Sequence, residues 1–94
     1  MHILRVKSAT DLSKLQLAVE ISALHHPEFQ IRGCGYRALS LMTKVTDEAL
    51  ESRLITRVHV TSEPVSVPIG SLTCVIFTCY AKAVPKAADA TWDT

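Results

Sequence analysis

The sequence predicts a two-layer α/β sandwich of order β-α-β-α-β-β, with both helices on one face of a mixed four-stranded sheet. Three observations carry this. Two segments repeat apolar residues at helical spacing and are flanked by short strand-like runs. Strand–helix–strand crossovers of the usual right hand then put both helices on the same side of the sheet. Finally, "LTCVIFTCYA" at 72–81 is apolar at both parities, so it wants an interior position with both faces at least partly covered.

Taken in order, "HILRVK" at 2–7 alternates and reads as the first strand. Ser8, Thr10 or Asp11 can cap the helix that follows, where Leu12, Leu15, Val19 and Ser22/Ala23 recur at helical spacing. Leu17, Ile21 and Leu24 widen its apolar side, and Pro27 ends it. Residues 29–34 make the second strand and 36–52 the second helix, which buries Ala38, Leu41, Met42, Val45 and Ala49. "LITRVHVTS" at 54–62 is the third strand, "EPVSVPIGS" a turn-rich connection, and 72–81 the fourth strand. The domain therefore spans 1–82, and residues 83–94 read as a flexible tail in which Trp92 is the one docking group.

A chain of 94 residues, 48% apolar and 20% charged, is one globular domain with a single core. No run approaches the roughly 18 apolar residues needed to cross a bilayer. The start "MHILRVKSATD" lacks the apolar centre of a signal peptide, so the expected location is the cytoplasm, with no membrane partner. Cys34, Cys74 and Cys79 lie in apolar strand-like segments, and buried free thiols fit them better than a disulfide framework. A formal net charge of +1 excludes the strongly basic balance of an avid, non-specific nucleic-acid binder, while leaving room for a local patch.

The charges are unevenly placed. No Lys or Arg occurs from Val58 to Ala81, so any patch comes from the earlier residues. Strand alternation sends Arg5, Lys7, Arg32, Arg57 and His59 to the face away from the helices, where every charge is then basic. Fourth-strand residues left bare on that face should form an apolar patch that a second copy of the chain covers.

The second helix carries the best-organised polar stripe. Arg37, Ser40, Lys44, Asp47 and Glu51 fall on one face, with the basic members toward its start, against the preference of the helix dipole. An anion such as phosphate near Gly33, Gly35, Arg37 and Lys44 would compensate them. The plainer alternative is that Arg37 and Lys44 are solvated surface charges and the glycines only make a turn. Lys14, near the start of the first helix, can join the same edge. His25 and His26 project in different directions and lack a third ligand, so they read as helix-terminal residues, and no metal site is expected. The cysteines show no setting that would make them nucleophiles.

These residues resemble a known family, the stage V sporulation protein S family of the Alba-like group. "MHILRVKSATDLSKLQLAVE" is similar to its opening, with Ile3, Leu4, Val6 and Ala18 in matching places. "IRGCGYRALSLMTKV" resembles its I-x-x-x-G-x-x-A-L-x-x-x-x-K run through Ile31, Gly35, Ala38, Leu39 and Lys44. The resemblance covers about residues 1–82 and implies strand order 1-2-4-3, with the fourth strand antiparallel to its neighbours. It also implies self-association as a dimer or larger assembly, a nucleic-acid-binding ancestry, and a role in regulating sporulation or development. Archaeal Alba proteins carry a lysine pair after strand 1, where this chain has Ala9 and Thr10, and a long basic strand 3–4 arm, where residues 61–73 hold no Lys or Arg.

The expected function is thus regulatory, through DNA or RNA bound on a modest basic surface. Lys7, Lys14, Arg32, Arg37 and Lys44, with the amides at Gly33 and Gly35, are the expected phosphate contacts. The main rival is a protein–protein assembly module that binds no nucleic acid. An enzyme is a distant third, because no acid–base pair or metal cluster is organised, and no cofactor is expected.

Overall fold

The computed structural model of the chain describes residues 1–82, so the expectation of a flexible tail at 83–94 lies outside the described residues. The elements are β1 (His2–Val6), α1 (Leu12–His25), β2 (Glu28–Cys34), α2 (Tyr36–Glu51), β3 (Ile55–Val67) and β4 (Gly70–Ala81). They form one sheet of order β1-β2-β4-β3, with β1 parallel to β2 and β4 antiparallel to both β2 and β3. The doubly apolar β4 thus occupies an interior position.

Registration fixes which side chains meet the helices. His2, Leu4 and Val6 pair with Phe29, Ile31 and Gly33, and these with Cys79, Phe77 and Val75. That face carries the core: Val6, Phe29, Ile31, Phe77 and Cys79 are buried against Leu15, Val19 and Ala23 of α1 and Ala38, Met42, Val45 and Ala49 of α2. Fully buried side chains such as Phe29, Ile31 and Met42 contribute about 1.5–3 kcal/mol each. Leu41, expected in the core, is half-buried at its margin.

Local chemistry sets the helix limits. α1 starts where the Asp11 carboxylate accepts hydrogen bonds from the amides of Ser13 (2.8 Å) and Lys14 (3.4 Å). It stops where the His26 amide donates to the Ser22 carbonyl at 2.8 Å, just before Pro27. His26 acts as the C-cap, and its ring stacks on His2 at 4.3 Å between centroids. His2 Nε2 lies 3.0 Å from the hydroxyl of Ser22, which satisfies that buried polar group. α2 ends differently: Arg53 takes φ 65°, its amide donates to the Leu50 carbonyl, and the Leu54 amide donates to Ala49. This is a Schellman closure, with arginine in the left-handed position usually held by glycine.

Gly33 sits in the sheet directly beneath α2. A Cβ there would lie 3.0 Å from the Ala38 Cβ and 3.2 Å from the Val6 carbonyl oxygen, so its absence lets the helix approach.

The third strand is longer than its sequence suggests. The segment expected to be a turn-rich connection, 63–71, continues the ladder through Pro64↔Thr73 to Val67↔Gly70, leaving Pro68 and Ile69 as the turn. β3 is an edge strand, where a proline interrupts nothing on its solvent side, so Pro64 does not end it. Cys34↔Cys74↔Glu63 is the last rung shared by three strands. Four further pairs carry a two-stranded arm about 13 Å beyond it.

Candidate nucleic-acid interface

Because β1 and β2 are parallel and each is followed by a helix, the starts of α1 and α2 lie at the same end of the sheet. The β3–β4 arm projects past that end, since it extends beyond the last residue of β2. Lys7 stands just after β1, in a turn closed by the Thr10 amide on the Lys7 carbonyl (3.0 Å) and the Lys7 amide on the Thr10 hydroxyl (2.8 Å). Lys14 lies in the first turn of α1 and Arg37 in the first turn of α2, both exposed.

The two helix starts differ in one respect. The first turn of α1 already has an anion, the Asp11 carboxylate. α2 begins at Gly35, with φ 91° and ψ 162°, and has neither a side-chain cap nor an acidic residue in its first turn. Among the described residues its opening amides therefore have no side-chain acceptor, and the nearest charged side chain in sequence is Arg37. Arg37, Ser40, Lys44, Asp47 and Glu51 are all exposed along α2. Glu48, on the neighbouring face, accepts a hydrogen bond from Gln16 of α1. Lys44 lies two turns beyond Arg37, beside a shallow depression lined by Tyr36, Leu39, Ser40, Thr43 and Asp47.

Arg32 is elsewhere. It lies on the sheet face opposite the helices, in register with Arg5 and Ile76. Its Nε donates to Gln30 Oε1 at 3.0 Å, and its guanidinium is 4.0 Å from Glu63 Oε1. Arg5, Lys7 and Arg32 line an open depression of about 470 Å³ with Cys34, Cys74, Glu63 and Ile76. Farther along this face, the Arg57 guanidinium sits 4.1 Å above the Tyr80 ring.

Of the expected phosphate contacts, the fold puts Lys14, Gly35 and Arg37 at the helix-start end of the sheet, with Lys44 farther along α2, while Lys7 at that same end lines the open-face depression with Arg32. It sets Arg32 on the opposite face and buries Gly33 in the sheet, where its role is packing.

Three sequence expectations are corrected here. The open face is not uniformly basic: the longer β3 brings Glu63 onto it, and Glu28 shares its parity. Nor is it a bare apolar patch among the described residues. Ile76 and Thr78 are 7% and 8% exposed although no helix overlies them, and their register partners include the long side chains Arg32, Gln30 and His59. Large exposed apolar groups lie instead on α1 (Leu17, Ile21, Leu24), at the two ends of α2 (Tyr36, Leu50), on the arm and its tip (Val65, Ile69, Leu72), and at Met1 and Val60, the last on the helix-side parity of β3.

The third correction concerns the thiols. Cys34 and Cys74 are joined by a disulfide, because the antiparallel register sets them directly opposite each other on one face. Strand order brings the end of β2 alongside β4, but that Cys74 is the residue facing Cys34 follows only from the register. Cys79 remains a free, buried thiol, and burial pushes it up to about 12.

No protein-family model matches the chain. No curated protein matches it either. Among solved structures it is similar to Alba from Thermoplasma volcanium, with a TM-score of 0.55 and 14% identity over 84% of this chain and 99% of that one. The fold is Alba-like.

Proposed function

We propose that this chain is a small regulatory nucleic-acid-binding module that works as a dimer or larger assembly. The observation that carries the reading is the uncapped start of α2 at Gly35, with Arg37 in its first turn and Lys7 and Lys14 at the same end of the sheet. A phosphate placed there would supply the acceptor that α2 lacks and would meet the charges that its dipole disfavours. Lys44 extends the track along α2, and Arg32 with Arg5 offers a separate contact on the open face. Binding of this kind follows the backbone rather than the bases. The resemblance of residues 1–82 to the stage V sporulation protein S family supports placing the activity in sporulation or development, and the Alba-like fold is compatible with that.

A second reading, an assembly module without nucleic acid, is favoured by the apolar stripe on α1. Leu17, Ile21 and Leu24 are 56%, 49% and 69% exposed on a helix whose other side is already in the core.

Binding measured across a salt series, on duplex DNA, single-stranded DNA and RNA, separates the two. The nucleic-acid reading expects affinity to fall as salt rises. Arg37→Ala, Lys44→Ala should weaken binding and lower the salt slope by roughly one unit for each phosphate the variant no longer neutralises. Equal affinities and slopes for wild type and variant would put the assembly reading in its place.

A further inference from the structure

We propose that Cys34 and Cys74 are a reversible redox pair whose bond fastens the β3–β4 arm to the sheet beside the start of α2. Position is the first observation. Cys34 is the last residue of β2 and directly precedes Gly35, where α2 begins. Cys74 stands opposite it, in the last rung that joins three strands. Beyond that rung the arm is a lone two-stranded ribbon, a structure of marginal stability by itself. A covalent link at its root therefore acts where the ladder alone holds least.

Surroundings are the second observation. The two sulfur-bearing residues are half-buried rather than sealed, and they share an open depression with Arg5, Lys7, Arg32 and Glu63, the last the register partner of Cys74. A small thiolate can therefore reach the bond from the open side of the depression, which exchange requires. Cys79 offers the contrast within the same strand: it is fully buried on the helix face, so it stays out of the exchange.

The chemistry balances with a low-molecular-weight disulfide as oxidant. One cysteine thiolate attacks a sulfur of that disulfide and releases a small thiolate, forming a mixed disulfide. The second cysteine thiolate attacks the protein sulfur of that intermediate and releases the second small thiolate. The protein loses two electrons and two protons, and one small disulfide becomes two small thiols. An excess of small thiol reverses each step. The pair would exist whether or not the chain binds nucleic acid.

The test equilibrates the full chain with mixtures of reduced and oxidised glutathione, quenches with an alkylating agent and reads the mass. A Cys34–Cys74 crosslink should form and disappear as the ratio changes, and Cys79→Ala should follow the same curve. Hydrogen exchange is then compared in the two states. Amides of the arm at 65–67 and 69–73 should exchange at least tenfold faster when reduced, while those of Phe29 and Ile31 keep their rate. Cys34→Ser, Cys74→Ser should exchange like the reduced protein at every ratio. Thiols that stay reduced throughout, a crosslink that no excess of reduced glutathione opens, or arm exchange equal in both states would overturn the proposal.

Discussion

A Cβ placed on Gly33 would stand 2.7 Å from the sulfur of Met42. The methionine can swing aside, but the Ala38 Cβ and the Val6 carbonyl, at 3.0 and 3.2 Å, cannot. Gly33→Ala should therefore push α2 off the sheet and cost about 1–3 kcal/mol. Gly35→Ala has open space around it, with nothing within 4 Å, and should cost about 1–3 kcal/mol for its backbone alone. Denaturant unfolding measures both. A repacking readout such as near-ultraviolet dichroism should change for Gly33→Ala only.

Arg53 is the one described non-glycine residue with positive φ. Glycine there would keep the Schellman hydrogen bonds and remove the Cβ conflict, at some loss of entropy in the unfolded chain. Arg53→Gly is expected to raise stability by about 0.5–1 kcal/mol, read as a higher denaturant midpoint.

The Cys79 thiol gives a pH dependence with a defined sign. Its value rises from 9.0 to about 12 on folding, so the unfolded chain ionises first as the pH climbs. The associated stability is complete below pH 9 and is lost as the pH rises toward 12, at up to about 1.4 kcal/mol per pH unit. In a Cys34→Ser, Cys74→Ser background, urea unfolding from pH 8 to 11 should show this loss. Adding Cys79→Val should remove that part of the slope.

Assembly should depend on α1. Light scattering is expected to show a dimer or larger species for the wild type. Leu17→Lys, Ile21→Lys should give a smaller species with stability lowered by no more than about 1 kcal/mol, because both side chains are about half exposed and outside the buried core. Unchanged size would move the self-contact to another surface.

The fold was legible because its pattern is written in alternation: β1 and β2 each have one polar parity, and β4 has none. The sequence misled at Pro64, where proline usually signals a break and an edge strand tolerates it, whereas Pro68 does mark the turn. It also misled at Cys34 and Cys74, which look like buried hydrophobes until their register is known. The candidate site was only partly legible. Arg37 and Lys44 share a face through helical spacing alone, whereas placing Arg32 on the other side of the sheet required knowing which strand parity the helices cover. Asp11 was among the legible caps of α1, whereas the start of α2 at Gly35, which has no side chain to cap with, depends on where the backbone enters the helix.

Among the described residues the outer edge of β3 has no strand beside it along its 13 residues, the kind of border at which sheets fuse into open-ended polymers. Pro64 removes a donor from that border, and Glu63 beside it adds a charge that stacked copies would repeat at close spacing. The opposite border, β1, is only 5 residues long. Growth of fibrils by strand addition is thus impeded at the long border by one imino acid and at the short border by lack of length. The same proline that disguised β3 in the sequence helps keep the protein from polymerising through its sheet.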